Sequence, residues 1–245
     1  MRTLGLIGGM SWESTVPYYR IINQRVRGTL GGLHSAKLLL HSVDFAQIEA
    51  LQRAGHWDAA GAQLADAARG LRLAGADAIV VCTNTMHLVA PAIEAAVDIP
   101  LLHIADATAQ RIRAAGLTRV ALLGTRFTME QTFYRERIEA AGIDVLTPDA
   151  AQRECVHRVI YDELCLGRIV DASRDDYRAI IATLIARGAQ GVILGCTEIG
   201  LLVGEGDATV ALFDTARIHA EAAADWALVS PKTPTPTVPL GSPPV

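Results

Sequence analysis

The chain has 245 residues, a formal net charge of −4 at neutral pH and an apolar share of 51%. That balance offers no basic footprint for nucleic acid or an anionic membrane surface, and no apolar run approaches the roughly 20 residues that span a bilayer. The cysteines, at 82, 155, 165 and 196, show neither a disulfide framework nor a zinc-type CxxC pair; with no signal-like leader ahead of the first strand, a cytoplasmic setting is expected.

In chain order, Thr3 to Gly8 reads as a first strand broken by Gly8-Gly9, followed by a helix from about Ser14 with Pro17 in its first turn. Lys37 to Val43 is a second strand, and His56 to Ala74 an Ala-rich helix. Then comes Ala78-Ile79-Val80-Val81-Cys82-Thr83-Asn84-Thr85-Met86-His87, an apolar run that ends in a cysteine and turns polar. That order reads as a buried parallel strand ending at a turn into a helix. A short helix over Pro91 to Val97, a fourth strand over Ile99 to Ile104, and a helix from Thr108 that closes at Gly116 follow.

The pattern then restarts. Arg119 to Arg126 is a strand ending in a Gly turn, Gln131 to Ala141 a helix, Ile143 to Leu146 a strand, and Glu154 to Ala186 a helical region broken near Gly167 and Ser173. Gly191-Val192-Ile193-Leu194-Gly195-Cys196-Thr197-Glu198-Ile199 repeats the build of the Cys82 stretch, and each is preceded by a Gly-Ala turn. Ala211 to Thr215 is a last strand and Ala216 to Leu228 a closing helix.

Gly8 and Gly124 on one hand, and Cys82 and Cys196 on the other, stand at nearly the same offset, which points to an internal duplication. The expected fold is therefore α/β: two pseudo-symmetric Rossmann-like lobes, each with a short, mainly parallel sheet flanked by helices, and the site in the cleft between them. The expected domains are 1–105 plus 208–228, 106–207, and a flexible Pro-rich tail over 229–245. Ligands of such folds collect at the carboxyl ends of strands. Gly8-Gly9-Met10, Cys82, Gly124-Thr125 and Cys196 all stand there, so the four loops should line one cleft.

A thiol with a pKa near ~8.5, lowered further at a helix N-terminus, can take a proton from carbon or return one. Two thiols on opposite faces of a carbon can invert it. Thr83, Asn84, Thr85 and Thr197 would hold a carboxylate between them through hydroxyl, amide and backbone N–H groups. A single buried Cys at a strand end is more often a small apolar filler; two at matched positions, each followed by Thr and a polar residue, reverse that balance.

Gly8-Gly9-Met10-Ser11-Trp12-Glu13-Ser14, Cys82 to His87 and Gly195 to Ile199 resemble the cofactor-independent aspartate/glutamate racemases, a resemblance that runs from residue 1 to about Leu228. It implies an isomerase that interconverts L- and D-amino acids (glutamate, aspartate, homoserine or similar) without pyridoxal phosphate or metal. It also implies a homodimer, Cys82 and Cys196 as the proton-transfer pair, and Met10, Thr83, Asn84, Thr85, Thr197 and Glu198 as substrate contacts. Thr125 joins these from its place at a strand end. Typical aspartate racemases hold the side-chain carboxylate with an Arg after the second strand and a Lys four residues after a Tyr. Here His41 to Ile48 offers no such Arg, and Cys165 stands four residues after Tyr161. The stretch from Val43 to Arg53 is closer to the broad-specificity branch, which makes Gln52 the expected side-chain contact and Arg53 a second choice.

The same cysteine in a related architecture could decarboxylate or isomerise a dicarboxylate, and a two-lobed binding protein would close on an amino acid without chemistry. Gly5 to Gly9 lacks the G-x-G-x-x-G spacing of a dinucleotide site, although Asp44 could pose as its ribose acid. His87 could tune Cys82 or be structural. Glu198 could orient an ammonium group or cap the next helix, and Asp214-Thr215 could cap the last one. Cys155, Cys165, Trp12, Trp57 and Trp226 read as packing residues.

Overall fold

The computed structural model describes residues 1–229; apart from Val229, the expected tail lies outside the described residues. Two parallel sheets form the framework. The first contains β1 (Leu4–Gly8), β2 (Leu38–Ser42) and β3 (Ala78–Val81) in the order β2-β1-β3. The second contains β4 (Arg119–Gly124), β5 (Asp144–Leu146), β6 (Gly191–Gly195) and β7 (Ala211–Asp214) in the order β5-β4-β6-β7. The first three strands of each sheet thus occur in the same spatial order, as a duplication requires. Pairing places Ile7 beside Val81 and Gly124 beside Gly195, so each cysteine is the residue just past the paired end of its strand.

Strand alternation sends successive side chains to opposite helical layers. In the first sheet, Ile7, Ile79 and Val81 pack under α2 (Phe45–Ala54) and α3 (Trp57–Leu73). Leu4, Leu6, Val80 and Cys82 pack under α1 (Trp12–Leu30) and α11 (Thr215–Leu228). A 3₁₀ turn over Thr85–Val89 and α4 (Ala90–Glu94) follow β3. In the second sheet, Leu123, Leu194 and Cys196 face α8 (Ala150–Asp162) and α9 (Asp171–Ala186), whereas Leu122 and Ile193 face α5 (Ile104–Ala114) and α7 (Thr132–Glu139). Short helices α6 (Arg126–Glu130) and α10 (Ile199–Leu202) open directly after β4 and after the Cys196 turn. Among the described residues, no helix is long and apolar enough to cross a membrane.

Several expectations are corrected. Ile99 to Ile104 is no strand: only an Ile79–Leu101 bridge forms, because α5 already starts at Ile104, where His103 caps it. The first sheet accordingly ends at β3. The expected boundary at 207/208 does not divide the sheets, since β7 hydrogen-bonds to β6 and only α11 returns to pack on α1. The helical region after β5 starts earlier, at a capping box of Asp149 and Gln152, and breaks at Gly167, while Ser173 lies inside α9. Pro17 sits inside α1, past the first turn. The helix α2 was not expected, although Asp44 caps its start and Gly55 closes its end in the left-handed region.

Where α5, α11 and the turn after β3 meet, three histidines are buried together. His87 accepts from the Ile104 N–H at 3.3 Å through Nε2, so its Nδ1–H donates to the Thr83 carbonyl at 2.8 Å. The Leu102 carbonyl takes His219 Nε2–H at 2.7 Å, so Nδ1 accepts from the Tyr18 hydroxyl at 2.9 Å. The His87 and His103 ring centroids lie 4.4 Å apart. Burial lowers all three from the ordinary 6.5: His103 to about 3, helped by Arg137, His219 to about 4, and His87 well below its usual range. Between pH 6.5 and about 4 the unfolded chain binds protons that these folded imidazoles refuse. Stability must therefore fall as pH falls through that window, by up to about 1.4 kcal/mol per pH unit for each histidine. Asp214, pushed up by burial, opposes this only in the carboxylate range. Urea unfolding at pH 7 and pH 5 checks it: an unchanged unfolding free energy would contradict the neutral cluster.

Candidate functional site

The corner after β1 is built for close approach. A Cβ at Gly8 would lie 2.4 Å from the Thr15 methyl, and Gly9, at φ +91°, would put one 2.3 Å from the Val43 carbonyl. Without those Cβ atoms the loop folds back on the first turn of α1: Gly9 N–H donates to Thr15 Oγ1 at 2.9 Å, and Ser14 and Thr15 hydroxyls donate to the Ser11 carbonyl at 3.1 and 3.0 Å. This presents Ser11 to the other lobe.

Across the gap stands Glu198, 2% exposed. Its Oε1 accepts from Ser11 N–H at 3.2 Å and Ser11 Oγ–H at 2.8 Å. Its Oε2 accepts from Thr197 Oγ–H at 2.8 Å and from the Cys196 thiol at 3.0 Å. Glu198 therefore does not cap α10, and none of its bonds goes to a cation among the described residues. Burial pushes the Cys196 thiol well up, and the Glu198 carboxylate adds to the rise. Burial alone does the same to Cys82, whose sulfur is 3.9 Å from the Val80 carbonyl.

Three further contacts join the loops. Asn84 Nδ2 donates to Thr215 Oγ1 at 2.9 Å, and that hydroxyl spends its proton on the Leu194 carbonyl at 2.7 Å. The chain fixes the amide orientation and leaves buried Asn84 Oδ1 without a protein partner. Thr85, Thr125 and Thr128 form a hydroxyl triangle, with Thr85 to Thr125 at 2.9 Å. Gln52 Nε2 donates to Met86 Sδ at 3.0 Å, while Tyr161 of α8 donates its hydroxyl to Gln52 Oε1 at 3.0 Å. Aromatic contacts extend this seam, with Phe45 stacked on Tyr161 and Trp57 edge-on to Phe127.

Apart from the second choice Arg53, every expected site residue is thus buried, Gln52 within α2 and the others in the loops after β1, β3, β4 and β6, with Met10 in the apolar cluster beside Ile7 and Met86. Three roles narrow. Thr83 gives its carbonyl to His87, which is structural; Thr197 holds Glu198; and Arg53 points to solvent beside Glu49. Asp44 caps α2 at 3.1 Å and Asp214 caps α11. Trp12 is 62% exposed rather than packed, whereas Trp226 carries the Arg2 guanidinium over its ring. Ser11, Thr128 and Tyr161 are not among the expected site residues: Ser11 and Tyr161 bond to Glu198 and Gln52 far along the chain, and Thr128 joins Thr85 only through the fold, although Thr125 is three residues away. Among the described residues no three His, Cys, Asp or Glu side chains are grouped to hold a metal ion.

A family model described as Asp/Glu/Hydantoin racemase matches residues 7–223. The broad specificity amino-acid racemase RacX of Bacillus subtilis (strain 168) is 23% identical over 219 residues, 86% of this chain and 92% of its own. Among solved structures, a proposed Asp/Glu racemase from Yersinia pestis is 62% identical, with a TM-score of 0.87 over 94% of this chain and 100% of its own. An aspartate racemase homologue from Pyrococcus horikoshii OT3 is 34% identical, with a TM-score of 0.80 over 93% and 99% of the two chains. At 15% identity and a TM-score of 0.60, over 92% of this chain and 80% of its own, a glutamate racemase from Francisella tularensis shares the fold.

Replacing Gly9 by Ala tests the corner. The clash with Val43 and the positive φ should cost at least about 3 kcal/mol. For a chain of this size that lowers Tm by roughly 6–12 °C; a Tm within 2 °C or so of the parent's would show that the loop relaxes freely.

Proposed function

Because the chain belongs to the Asp/Glu/Hydantoin racemase family, we propose that it racemises a free amino acid at Cα with Cys82 and Cys196 as the two bases and no cofactor. The observation that carries this reading is the pair of buried thiols at matched ends of β3 and β6, in loops joined across the cleft by Asn84–Thr215–Leu194 and Ser11–Glu198. One sulfur takes the Cα proton from one face while the other thiol delivers a proton to the opposite face.

Burial keeps both thiols protonated at neutral pH, so the base must be made within the site. For Cys196 the acceptor is at hand. Its Sγ–H bond breaks, an O–H bond forms on Glu198 Oε2, and the negative charge moves from carboxylate to sulfur. After Cys196 has taken the Cα proton and Cys82 has given its own, Cys82 is the thiolate, ready for the opposite enantiomer. The partnerless Asn84 Oδ1 would accept from the substrate ammonium, whose charge also favours a nearby thiolate. The Thr85–Thr125 hydroxyls would receive the carboxylate.

For the substrate side chain, Gln52 and Tyr161 supply an uncharged polar wall, and neither forms an ion pair with a cation. Desolvating a second carboxylate there without a cation is costly. An uncharged polar amino acid, of the homoserine kind, is therefore favoured over aspartate and glutamate, whose side-chain carboxylates carry the same desolvation cost; the Bacillus relative is named a broad specificity amino-acid racemase.

Incubation of both enantiomers of an amino-acid panel in deuterated water, read by NMR, tests the reading. The wild type should exchange and invert Cα, whereas Cys82→Ser and Cys196→Ser should each lose inversion by about 10³-fold or more. An absence of exchange with every amino acid defeats the racemase reading, and aspartate far ahead of all others defeats the side-chain assignment. In Tyr161→Phe, Gln52 Oε1 loses its donor. KM for the preferred amino acid should rise about tenfold with kcat within threefold, the worth of one buried hydrogen bond; an unchanged KM would remove Tyr161 from the side-chain wall.

A further inference from the structure

We propose that Ser11 is a positioning residue through which lobe closure sets the state of the Cys196 thiol. The inference rests on the two-thiol reading and adds a residue to it. Ser11 is fastened to the first lobe, its carbonyl held by the Ser14 and Thr15 hydroxyls. Its own N–H and hydroxyl reach Glu198, 187 residues away, at 3.2 and 2.8 Å. Both bonds go to Oε1, leaving Oε2 for the Cys196 thiol and the Thr197 hydroxyl. One planar carboxylate therefore has an oxygen anchored on each lobe, and fixing Oε1 fixes where Oε2 points.

A buried carboxylate that loses two of four donors turns toward water to recover them. When the lobes part, Glu198 is freed from Ser11, and the geometry that lets it hold or take the Cys196 proton is lost. Proton transfer at Cys196 is thereby confined to the closed molecule. Cys82 hydrogen-bonds to no carboxylate among the described residues, its sulfur reaching the Val80 carbonyl at 3.9 Å, so the coupling acts on one thiol of the pair.

The test has two arms on the full-length protein, with folding of each variant verified by circular dichroism. In the first, Ser11→Ala is measured alone and in a Glu198→Gln background, with the preferred amino acid. Acting through Glu198, the Ser11 hydroxyl should be worth about tenfold in kcat in the parent, at a KM within twofold, and less than about twofold once Glu198 is amidated. Equal factors in both backgrounds overturn the proposal, because a loop-packing role would cost the same in each. The second arm needs no substrate. Iodoacetamide alkylation of each cysteine is followed by peptide mass spectrometry from pH 7 to pH 10, with Cys82 as internal reference. In Ser11→Ala the alkylation rate of Cys196 relative to that of Cys82 should rise twofold or more at each pH. A smaller rise, or none, overturns the proposal. A protein that racemises nothing yet shows the Cys196-specific rise keeps Ser11 in place and loses the racemase reading. Racemisation with equal factors and an unmoved ratio removes Ser11 alone.

Discussion

A carboxylate buried to 2% exposure without a cation beside it is tolerable only when donors surround it. Glu198 has four: the Ser11 N–H and hydroxyl, the Thr197 hydroxyl and the Cys196 thiol. Much of the local construction follows from supplying them. Two must come from the other lobe, so the chain after β1 has to turn sharply, and Gly8 and Gly9 permit the turn because Thr15 and Val43 occupy the space their Cβ atoms would need. Thr15 then holds Ser11 in place. The acceptor stays next to a thiol whose charged form burial opposes, so the arrangement that stabilises Glu198 also poises Cys196.

The framework was largely legible because its signals are local. Short apolar runs leading to Cys-Thr at matched positions reveal buried parallel strands, and the structure repeats the order β2-β1-β3 as β5-β4-β6. The misreadings were also local. Ile99 to Ile104 has strand composition, yet His103 caps α5 and ends the extended run after one bridge. The caps of α2, Asp44 and Gly55, were readable signals that apolar periodicity alone did not bring out. What could not be read were bonds between residues more than a hundred positions apart: Ser11 to Glu198, Tyr161 to Gln52, Asn84 to Thr215. Nothing in a Ser or a Tyr announces a partner that only tertiary closure brings near.

The two lobes match in topology more closely than in chemistry. The two cysteines share their strand-end position, but extending the pairing puts Gly8 beside Cys82 and Thr125 beside Cys196. Cys82 packs among the alanines of α11, and Cys196 among the apolar side chains of α8 and α9. The second sheet has one strand more, β7, and the helix after it, α11, crosses to the first. That crossing places Thr215 where it can align Asn84, so the departure from symmetry itself orients a site residue.

Asymmetry between the thiols does not conflict with inversion of a carbon in both directions. The equilibrium between enantiomers is unity, so kcat/KM must be equal for the two, whatever the two bases look like. The environments can therefore differ freely as long as each protonation form of the pair is reachable. On the proposed reading, a carboxylate at Cys196 would make one form by an internal proton shift, and a bound ammonium near Asn84 Oδ1 would favour the thiolate in either. Selection on such a site acts on the sum of the two half-reactions rather than on likeness between lobes. Under that constraint one lobe can keep a bare, apolar cysteine while the other surrounds its own with Thr197, Glu198 and a serine borrowed from across the cleft.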